Sequence, residues 1–301
     1  MLSRRRLISE IRVPLLVVTK SALVNKFGFL RKEKYRIVPN FETRRPFDDS
    51  FESPHVVAGP VFVVAQLRGE AIYHHMVEVM ARLAPYYDQL VADPRIKIHL
   101  TARRVSFPFM EFLGFPESRL VSGNVMTQST VIYPEPSISK NKRYYIIKKL
   151  RHILIRRLIT YYPAKALQRN KHIVIIRRSK IRSITNFEEL LHQVSINFPK
   201  EKIVIYRDDP SPPVQESFRM FYEAKMVIAP HGAGLANTIV CKPGTPVIEL
   251  MMEGEDLNMV FVRLSATLGL RHNGIAPPGS RYLGNFTVDP KSVIKIARIY
   301  L

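Results

Sequence analysis

Ala229-Pro230-His231-Gly232-Ala233-Gly234-Leu235-Ala236-Asn237 lies between two apolar runs, residues 225–229 and 246–250. An apolar run followed by a glycine-rich turn is typical of a strand that leads into a helix. Glycines leave the backbone bare at that junction, and the amides at a helix N-terminus attract phosphate oxygens. The stretch therefore predicts a cradle for a diphosphate, built from the backbone of Gly232, Ala233, Gly234 and Leu235.

The same turn has a second interpretation, because glycine-rich turns in α/β proteins often serve only the close packing of a helix on a strand. The segment Lys242-Pro243-Gly244-Thr245-Pro246-Val247-Ile248-Glu249-Leu250 favours a nucleotide site instead. It combines a tight turn with a short apolar strand that carries a carboxylate near its end. We expect Glu249 to lie beside the hydroxyl pair of a ribose.

The rest of the chain after residue 60 alternates short β-rich runs with helical ones, which indicates an α/β protein. In the first half we expect strands at 61–65, 96–100 and 129–133, and helices at 71–92, 107–113 and 144–169, the last broken at Pro163. In the second half we expect strands at 172–176, 202–206, 226–229 and 247–250, and helices at 186–197, 214–224, 235–240 and 256–268. The pattern predicts two Rossmann-like, parallel-sheet domains with a cleft between them.

Three polar side chains follow strands of the second half. Arg178 follows the strand at 172–176, Arg207 follows 202–206, and His231 follows 226–229. Ligands of parallel sheets bind beyond the carboxyl ends of the strands. We therefore expect these three strand ends to open onto one crevice.

The predicted helix at 71–92 carries a polar row. His74, Glu78 and Arg82 are spaced i, i+4, i+8, so a regular helix would place them along one face. Taken alone, this row has an ordinary surface stripe as its alternative explanation.

Three blocks carry a family resemblance: Tyr73-His74-His75-Met76-Val77-Glu78, then Arg178 with Arg182 and Asn186 leading into Glu188-Glu189-Leu190, and finally residues 229–237 continuing into 243–250. In this order and spacing they resemble glycosyltransferase family 61. That family includes plant β-1,2-xylosyltransferases and animal protein O-linked N-acetylglucosaminyltransferases. The blocks span most of residues 60–250.

The resemblance implies the two-domain glycosyltransferase B fold. We expect an acceptor-side domain at 1–168 with a basic N-terminal segment, and a nucleotide-sugar-binding domain at 169–288. A last helix within 289–301 is expected to pack back on the first domain. The resemblance matches His74 to a family histidine and Glu78 to a recurring acidic position. Where many relatives carry a second arginine beside Arg182, this chain has Ser183.

The implied activity is that of an inverting hexosyl- or pentosyltransferase that uses a UDP-sugar and a glycan or glycoconjugate hydroxyl. Such a reaction needs a base near the acceptor and positive groups near the leaving diphosphate. His74 or Glu78 is the candidate base, the other fixing its orientation. Arg178, Arg182, His231 and the amides of the cradle are the candidates for the diphosphate. For His231, a hydrogen bond to a backbone carbonyl at the strand end is the alternative.

Asp208 and Asp209 raise the question of a metal. They are adjacent, so one strand would point them to opposite sides, and Pro210, Pro212 and Pro213 follow. A turn explains them better than a metal site. We therefore expect no metal and no other cofactor beyond the UDP-sugar substrate.

The net charge of +21 predicts anionic partners. Residues 1–36 hold ten Lys or Arg against two acids, and residues 136–187 hold fifteen against none. For the first cluster the alternatives are a solvated tail, contact with an anionic membrane surface, or nucleic acid. In the second we expect Arg151, Arg156 and Arg157 on a solvated helix face. No zinc-ligand spacing or aromatic ribonucleoprotein signature is present, so we expect no nucleic acid.

The expected location is the cytoplasm, at the inner face of the plasma membrane. The sequence contains no apolar stretch long enough to span a bilayer and no secretory signal pattern, and its single cysteine, Cys241, forms no internal disulfide. We expect a role in bacterial capsule or other surface polysaccharide synthesis. The alternative is a non-catalytic protein that keeps a nucleotide cleft as a scaffold on an anionic membrane or nucleic acid.

Overall fold

The computed structural model describes residues 16–38, 50–134 and 143–301. These residues form two compact units. The C-terminal unit contains residues 71–77, 111–114 and 147–301, and the N-terminal unit contains the other described residues. Both units carry a sheet with parallel strands and flanking helices, which confirms the α/β class. The C-terminal unit is more extensive than the predicted domain 169–288.

The sheet of the N-terminal unit is mixed. Its order is β3-β2-β1-β8-β5-β6-β7, with β4 beside β8. The strands are β1 (Leu16–Val24), β2 (Leu30–Lys32), β3 (Tyr35–Ile37), β4 (His55–Val56), β5 (Val61–Val63), β6 (Lys97–Leu100), β7 (Leu120–Ser122) and β8 (Val125–Pro134). Strands β4 to β8 pair in parallel, and β1, β2 and β3 pair antiparallel.

The three antiparallel strands correct the interpretation of residues 16–36 as part of a solvated tail. Ala22, Val24 and Leu30 are buried in a core cluster with residues of β5 and β8. In β1, the buried Ala22 and Val24 alternate with the more exposed Ser21 and Leu23, which gives the strand one buried face. Arg4 to Arg6, at the start of the basic cluster, lie outside the described residues.

The helix expected at 71–92 is irregular. It consists of the helical segments Ile72–His74, His75–Val79, Met80–Leu83, Ala84–Tyr86 and Tyr87–Ala92. His75–Val79 is a π-helical turn, which adds a residue to the turn, and Pro85 in the 3₁₀ segment has no amide to donate. Arg82 is 2% exposed, so the alternative of an ordinary surface stripe of His74, Glu78 and Arg82 is wrong. The two compact units divide within this stretch, after Val77.

The sheet of the C-terminal unit is parallel throughout. Its order is β10-β9-β11-β12-β13. The strands are β9 (His172–Arg177), β10 (Ile203–Arg207), β11 (Ala224–Pro230), β12 (Pro246–Leu250) and β13 (Arg271–Ile275). The first four confirm the predicted strands. The fifth was not predicted because Arg271, His272 and Asn273 make it polar, as an edge strand can be.

Helices of the described residues connect and cover these strands. They are Arg103–Phe112, Glu117–Arg119, Arg143–Tyr161, Ala164–Ala166, Phe187–Asn197, Val214–Tyr222, Ala233–Val240, Gly254–Asp256, Val260–Leu268 and Pro290–Ala297. The predicted helix boundaries in the second half agree within a few residues. In the described part of the chain, no helix has the length and apolar character needed to span a bilayer.

The order of the C-terminal sheet creates a topological switch point. From β9 the chain passes to β10 on one side and then returns to β11 on the other. Because the connection from β9 to β10 and the connection from β10 to β11 run in opposite directions across the sheet, the carboxyl ends of β9 and β11 flank a crevice. Ile173, Ile175, Met226 and Ile228 form the buried centre of these two strands. The fold therefore brings Arg178 and His231 to adjacent strand ends.

The helix Arg143–Tyr161 ends before Pro163, as expected, but two of its arginines are only partly exposed and bind backbone carbonyls. Arg151 Nη2 donates to the Cys241 carbonyl at 2.8 Å, and Arg157 Nε donates to the Phe112 carbonyl at 2.9 Å. Arg156 is exposed. The prediction of a solvated face is therefore wrong for Arg151 and Arg157, whose long side chains cap carbonyls of the C-terminal unit.

The last helix, Pro290–Ala297, begins at an Asp289 cap that accepts hydrogen bonds from two backbone amides. Val293, Ile294 and Ala297 are buried in the core cluster of the C-terminal unit. The helix thus belongs to the core of that unit, and its packing back on the first domain stays a prediction.

Candidate active site

Arg178 lies directly after β9, with a side chain that is only 11% exposed. Its Nε donates to the Ile181 carbonyl at 2.8 Å and lies 3.7 Å from Asp208 Oδ2. Burial lowers the pKa of Arg178, the like charge of Arg182 lowers it further, and Asp208 opposes both. The guanidinium is thus a cation in an environment that an additional anion would stabilise.

Gly232 makes the position of Arg178 possible. A Cβ at Gly232 would overlap the Arg178 guanidinium. The backbone of Gly232 is extended, so the glycine is required by this close approach and not by its dihedral angles. The turn after β11 and the arginine after β9 therefore form one site at the switch point.

Arg182 adds a second cation next to Arg178. Its backbone has a φ of 59°, and its guanidinium lies over the Tyr282 ring at 4.7 Å. Among the described residues its buried Nε has no hydrogen-bond partner. Two guanidinium groups with one nearby carboxylate, Asp208, form an electrostatic environment suited to a diphosphate.

Asp208 and Asp209 lie in a turn, as predicted. Asp208 Oδ1 accepts from the Ser179 amide at 3.0 Å, and Asp209 Oδ2 lies 2.9 Å from Lys180 Nζ. In the part of the chain that the structure describes, no group of three or more His, Cys, Asp or Glu side chains is arranged to hold a metal ion. Metal-independent catalysis stays a prediction.

The turn after β11 also shows where the cradle prediction fails. Leu235 uses its amide to donate to the Gly232 carbonyl at 3.0 Å. A Cβ at Gly234 would lie 3.2 Å from Ile176 Cδ1 and 3.4 Å from Tyr206 Cε1. Gly234 therefore serves close packing of the 3₁₀ helix Ala233–Val240 on the strands, which was the alternative interpretation. Gly232 and the partly exposed Ala233 remain the candidates of this turn for ligand contact.

His231 and Glu249 form a buried pair. His231 Nδ1 donates to Glu249 Oε1 at 2.5 Å, and the Glu249 side chain has no exposed surface. His272 Nε2 lies 2.9 Å from Glu249 Oε2, an ion-pair distance without the alignment of a hydrogen bond. The structure thus corrects the expectation that Glu249 contacts a ribose, because both of its oxygens face histidines. It also corrects the carbonyl alternative for His231.

Burial alone would raise the pKa of Glu249. The interactions of His231 and His272 with the carboxylate outweigh burial and hold the pKa of Glu249 below its usual value. The carboxylate is therefore ionised at neutral pH.

Sequence reasoning missed His272. The register of β12 and β13 places it opposite Val247, on the same face of the sheet as Glu249. Its Nδ1 lies 3.0 Å from Ser265 Oγ. The available signal was Glu249 itself, since a carboxylate in a fully buried apolar strand requires a partner in a neighbouring strand.

An aromatic cluster connects His231 with the first family block. Phe261 contacts the His231 ring edge-on, with centroids 5.1 Å apart, and Tyr73 contacts Phe261 at 5.4 Å. His74 packs against Tyr73 at 5.2 Å. Residues 71–77 group with the C-terminal unit, so His74 is part of the same unit as the diphosphate candidates and not of the first domain, where it was expected.

Glu78 and Arg82 belong to the N-terminal unit. Glu78 Oε2 accepts from Gln66 Nε2 at 2.7 Å. The buried Arg82 guanidinium donates to four backbone carbonyls, of Val63, Val64, Ala65 and Pro134. Arg82 is therefore a structural residue, and the structure places the two candidate bases, His74 and Glu78, in different units.

Asn186 is structural too: it stands at the N-cap position of the helix Phe187–Asn197, but its side chain makes no capping hydrogen bond. Its Nδ2 donates to the Val288 carbonyl at 2.8 Å, and its Oδ1 accepts from the Val288 amide at 3.0 Å. Asn186 thereby links two segments: the loop that contains Arg182 and the segment before the last helix.

The fold and the site define an α/β protein with a cationic site at the switch point of a parallel sheet. The family model described as Glycosyltransferase 61 matches residues 72–248, more than half of the chain. The chain belongs to glycosyltransferase family 61. This membership favours the enzyme over the non-catalytic scaffold. The match ends before Glu249 and His272.

Neither curated proteins nor solved structures narrow the assignment beyond the family. No curated protein matches the chain. Among solved structures, a mutant flavo di-iron protein from Thermotoga maritima is similar over 64% of this chain and 47% of its own length, at 12% identity and a TM-score of 0.32. The chain thus spans less than half the length of that protein. The TM-score is too low to support an argument about fold or function.

Proposed function

We propose that the protein is an inverting, metal-independent glycosyltransferase that moves a sugar from a UDP-sugar to a hydroxyl of a glycan or glycoconjugate. The observation that carries this proposal is the Arg178 guanidinium over Gly232 at the switch point. It concentrates positive charge where the carboxyl ends of β9 and β11 meet. Arg182 and His231 lie beside it and are the further candidates for contact with the diphosphate.

In the proposed reaction the acceptor oxygen attacks the anomeric carbon from the face opposite the diphosphate. The bond between the anomeric carbon and the β-phosphate oxygen breaks, and its electron pair leaves with UDP. The acceptor hydroxyl proton passes to a base, for which His74 and Glu78 are the candidates. Negative charge grows on the departing diphosphate, where Arg178 and Arg182 stabilise it.

The proposed setting is the cytoplasmic face of a bacterial plasma membrane, in the synthesis of capsule or another surface polysaccharide. The net charge of +21 supports contact with anionic lipid, which attracts clusters of Lys and Arg. Two-domain architecture of the glycosyltransferase B type, with a cleft between the domains, belongs to the same proposal.

The first test is a panel of nucleotide sugars in a thermal-unfolding assay. A donor present at about 100 times its dissociation constant stabilises the protein by roughly 2.7 kcal/mol. The donor that stabilises most is then used to measure UDP release with acceptor extracts, with and without excess chelator. Activity that persists with chelator supports metal independence. Strict dependence on an added divalent metal would instead make Asp208 and Asp209 candidate ligands.

The second test concerns the base. His74→Ala and Glu78→Gln are compared for turnover and for UDP affinity by calorimetry. Loss of a general base lowers turnover by about 10² to 10⁴ and leaves UDP affinity nearly unchanged. The variant with the larger loss identifies the base. If neither variant loses at least about tenfold in turnover, the base lies elsewhere.

A further inference from the structure

Glu249 is the most unusual residue of the C-terminal sheet. Every residue of β12, Pro246–Leu250, is buried, and Glu249 carries a carboxylate in that strand. A buried charge without a partner is strongly destabilising, whereas a paired one is tolerated. The chain keeps this carboxylate although an apolar residue would suit the strand better.

The carboxylate is the centre of a chain of polar contacts across four neighbouring elements. His231 at the end of β11 donates from Nδ1 to Glu249 Oε1 at 2.5 Å. Glu249 Oε2 on β12 lies 2.9 Å from His272 Nε2 on β13, and His272 Nδ1 lies 3.0 Å from Ser265 Oγ on the helix Val260–Leu268. All four side chains belong to the C-terminal unit.

This arrangement determines which atom of His231 can serve a ligand. Nδ1 is used by Glu249, so the ring presents Nε2 as its other polar atom. A carboxylate at Nδ1 places a negative charge beside the ring, and a ring that carries a proton on both nitrogens donates from Nε2. His231 immediately precedes Gly232, the residue that the Arg178 guanidinium covers.

We propose that Glu249 and His272 are positioning residues, which hold His231 as a hydrogen-bond donor to the leaving diphosphate. The proposal rests on the function proposed above. As the bond between the anomeric carbon and the β-phosphate oxygen breaks, negative charge grows on that oxygen and the hydrogen bond from Nε2 strengthens. The proton stays on His231, so no proton transfer is needed. Ser265 orients the His272 ring by its contact with Nδ1.

Glu223 is a second buried carboxylate in the same unit and has a purely structural set of partners. Comparison with it shows what is unusual about Glu249. Glu223 precedes β11 and is 3% exposed. It lies 3.5 Å from Lys171 Nζ and 3.6 Å from Arg219 Nε, and it accepts from the Gln168 amide. Lysine and arginine neutralise that charge near the amino ends of β9 and β11, away from the switch point. Glu249 has histidines instead, and one of them lies at the switch point.

The experiment compares Glu249→Gln and His272→Gln with the matched control Glu223→Gln. Each variant is assayed for kcat, KM for the UDP-sugar, UDP affinity and melting temperature. We expect Glu249→Gln to lower kcat by at least about tenfold, because the charge-assisted hydrogen bond at His231 is lost, with KM changed less than kcat. His272→Gln should lower kcat less. Glu223→Gln should keep kcat even if its melting temperature falls.

Histidine ¹⁵N NMR of the wild-type protein gives a readout that a structural role would not produce. With UDP bound, His231 should be protonated on both nitrogens, and its Nδ1 proton should be strongly shifted downfield. That signal should be absent from Glu249→Gln. This measurement decides the matter even where a variant fails to fold.

The outcomes separate the two proposals. If the wild-type protein does not bind UDP, the proposed function is wrong, and this inference falls with it. If the wild type binds UDP and Arg178→Ala weakens binding, but UDP-bound His231 is neutral or Glu249→Gln keeps its kcat, only the positioning role is overturned.

Discussion

Each unit buries an arginine near the carboxyl end of a strand, but the partners differ. In the N-terminal unit, the Arg82 guanidinium donates to four backbone carbonyls, including that of Pro134 at 3.1 Å. In the C-terminal unit, Arg178 has one carbonyl partner, the carboxylate of Asp208 at 3.7 Å, and Arg182 as a like-charged neighbour. Burial lowers the pKa of both arginines. The pKa direction therefore does not distinguish the structural arginine from the candidate ligand-binding one, whereas the partners do.

The buried histidines differ in the same way. His99 Nε2 in the N-terminal unit donates to the Gly123 carbonyl at 2.8 Å, and burial lowers the pKa of His99 to about 4. His231 in the C-terminal unit donates to the carboxylate of Glu249. The Gly123 carbonyl only partly offsets the effect of burial on the pKa of His99, whereas Glu249 places a full negative charge beside the His231 ring. In this comparison the arginine and the histidine with only carbonyl partners are structural, and those that contact a carboxylate lie at the switch point.

The largest effect should come from Arg82→Leu. Removal of the guanidinium leaves several buried carbonyls without a donor, each worth about 1–3 kcal/mol, so we expect a loss of about 3–5 kcal/mol in the free energy of unfolding. Urea unfolding measures it, with the exposed Arg104→Leu as control. If Arg82→Leu keeps wild-type stability but loses UDP affinity, Arg82 binds the ligand and its structural assignment is wrong.

Acid should destabilise the protein through His99. Its pKa is about 4 in the folded state against 6.5 as the ordinary value, so the unfolded chain binds the proton more tightly. Stability is therefore full above pH 6.5 and falls as the pH drops towards 4, by up to about 3 kcal/mol. Urea unfolding across this range measures the loss. His99→Gln should flatten the dependence between pH 6.5 and 4, and an unchanged slope would assign the acid sensitivity to other groups.

Arg178→Ala should weaken UDP binding by about 10- to 100-fold, because charge-assisted hydrogen bonds contribute roughly 1.5–3 kcal/mol. Arg177→Ala is the matched control, since the adjacent Arg177 pairs with Glu188 on a helix at 2.6 Å. Calorimetry with UDP should find the loss only at Arg178. Equal effects at both positions would mean that the general positive charge, and not the switch point, attracts the nucleotide.

The contrast also explains how far the sequence could predict the fold. In the C-terminal unit, strong apolar periods and the glycine-rich turn gave four strands and their helices, because local pattern and tertiary packing agree there. In the N-terminal unit, β1 was missed because its partner β8 lies far away in the sequence, and β2 and β3 were missed because each is only three residues long. The helix after Ala71 was predicted, but its irregularity was not, because a π-helical turn has no periodic signature.

For the site, the sequence indicated Arg178, Arg182 and His231 from their positions after strands or within a family block. It could not indicate what each contacts. Glu249 looked accessible at the end of a strand, but the partner that buries it, His272, lies in a strand with no apolar pattern. Pairing across a sheet depends on register, which a single sequence does not specify.

The smallest effect should separate two glycines of one turn. Gly234→Ala places a methyl group 3.2 Å from Ile176 Cδ1 and 3.4 Å from Tyr206 Cε1, so the core must shift by a few tenths of an ångström. Overpacking of this size costs about 1 kcal/mol, and UDP affinity should remain within about twofold. Gly232→Ala should lower UDP affinity and leave stability nearly unchanged. Its methyl group displaces the Arg178 guanidinium, and the partly exposed side of the turn accommodates the displacement. Urea unfolding and UDP calorimetry on both variants test the contrast. If Gly234→Ala instead loses UDP affinity at unchanged stability, the phosphate approaches the backbone at Gly234. The predicted diphosphate cradle would then include Gly234 after all.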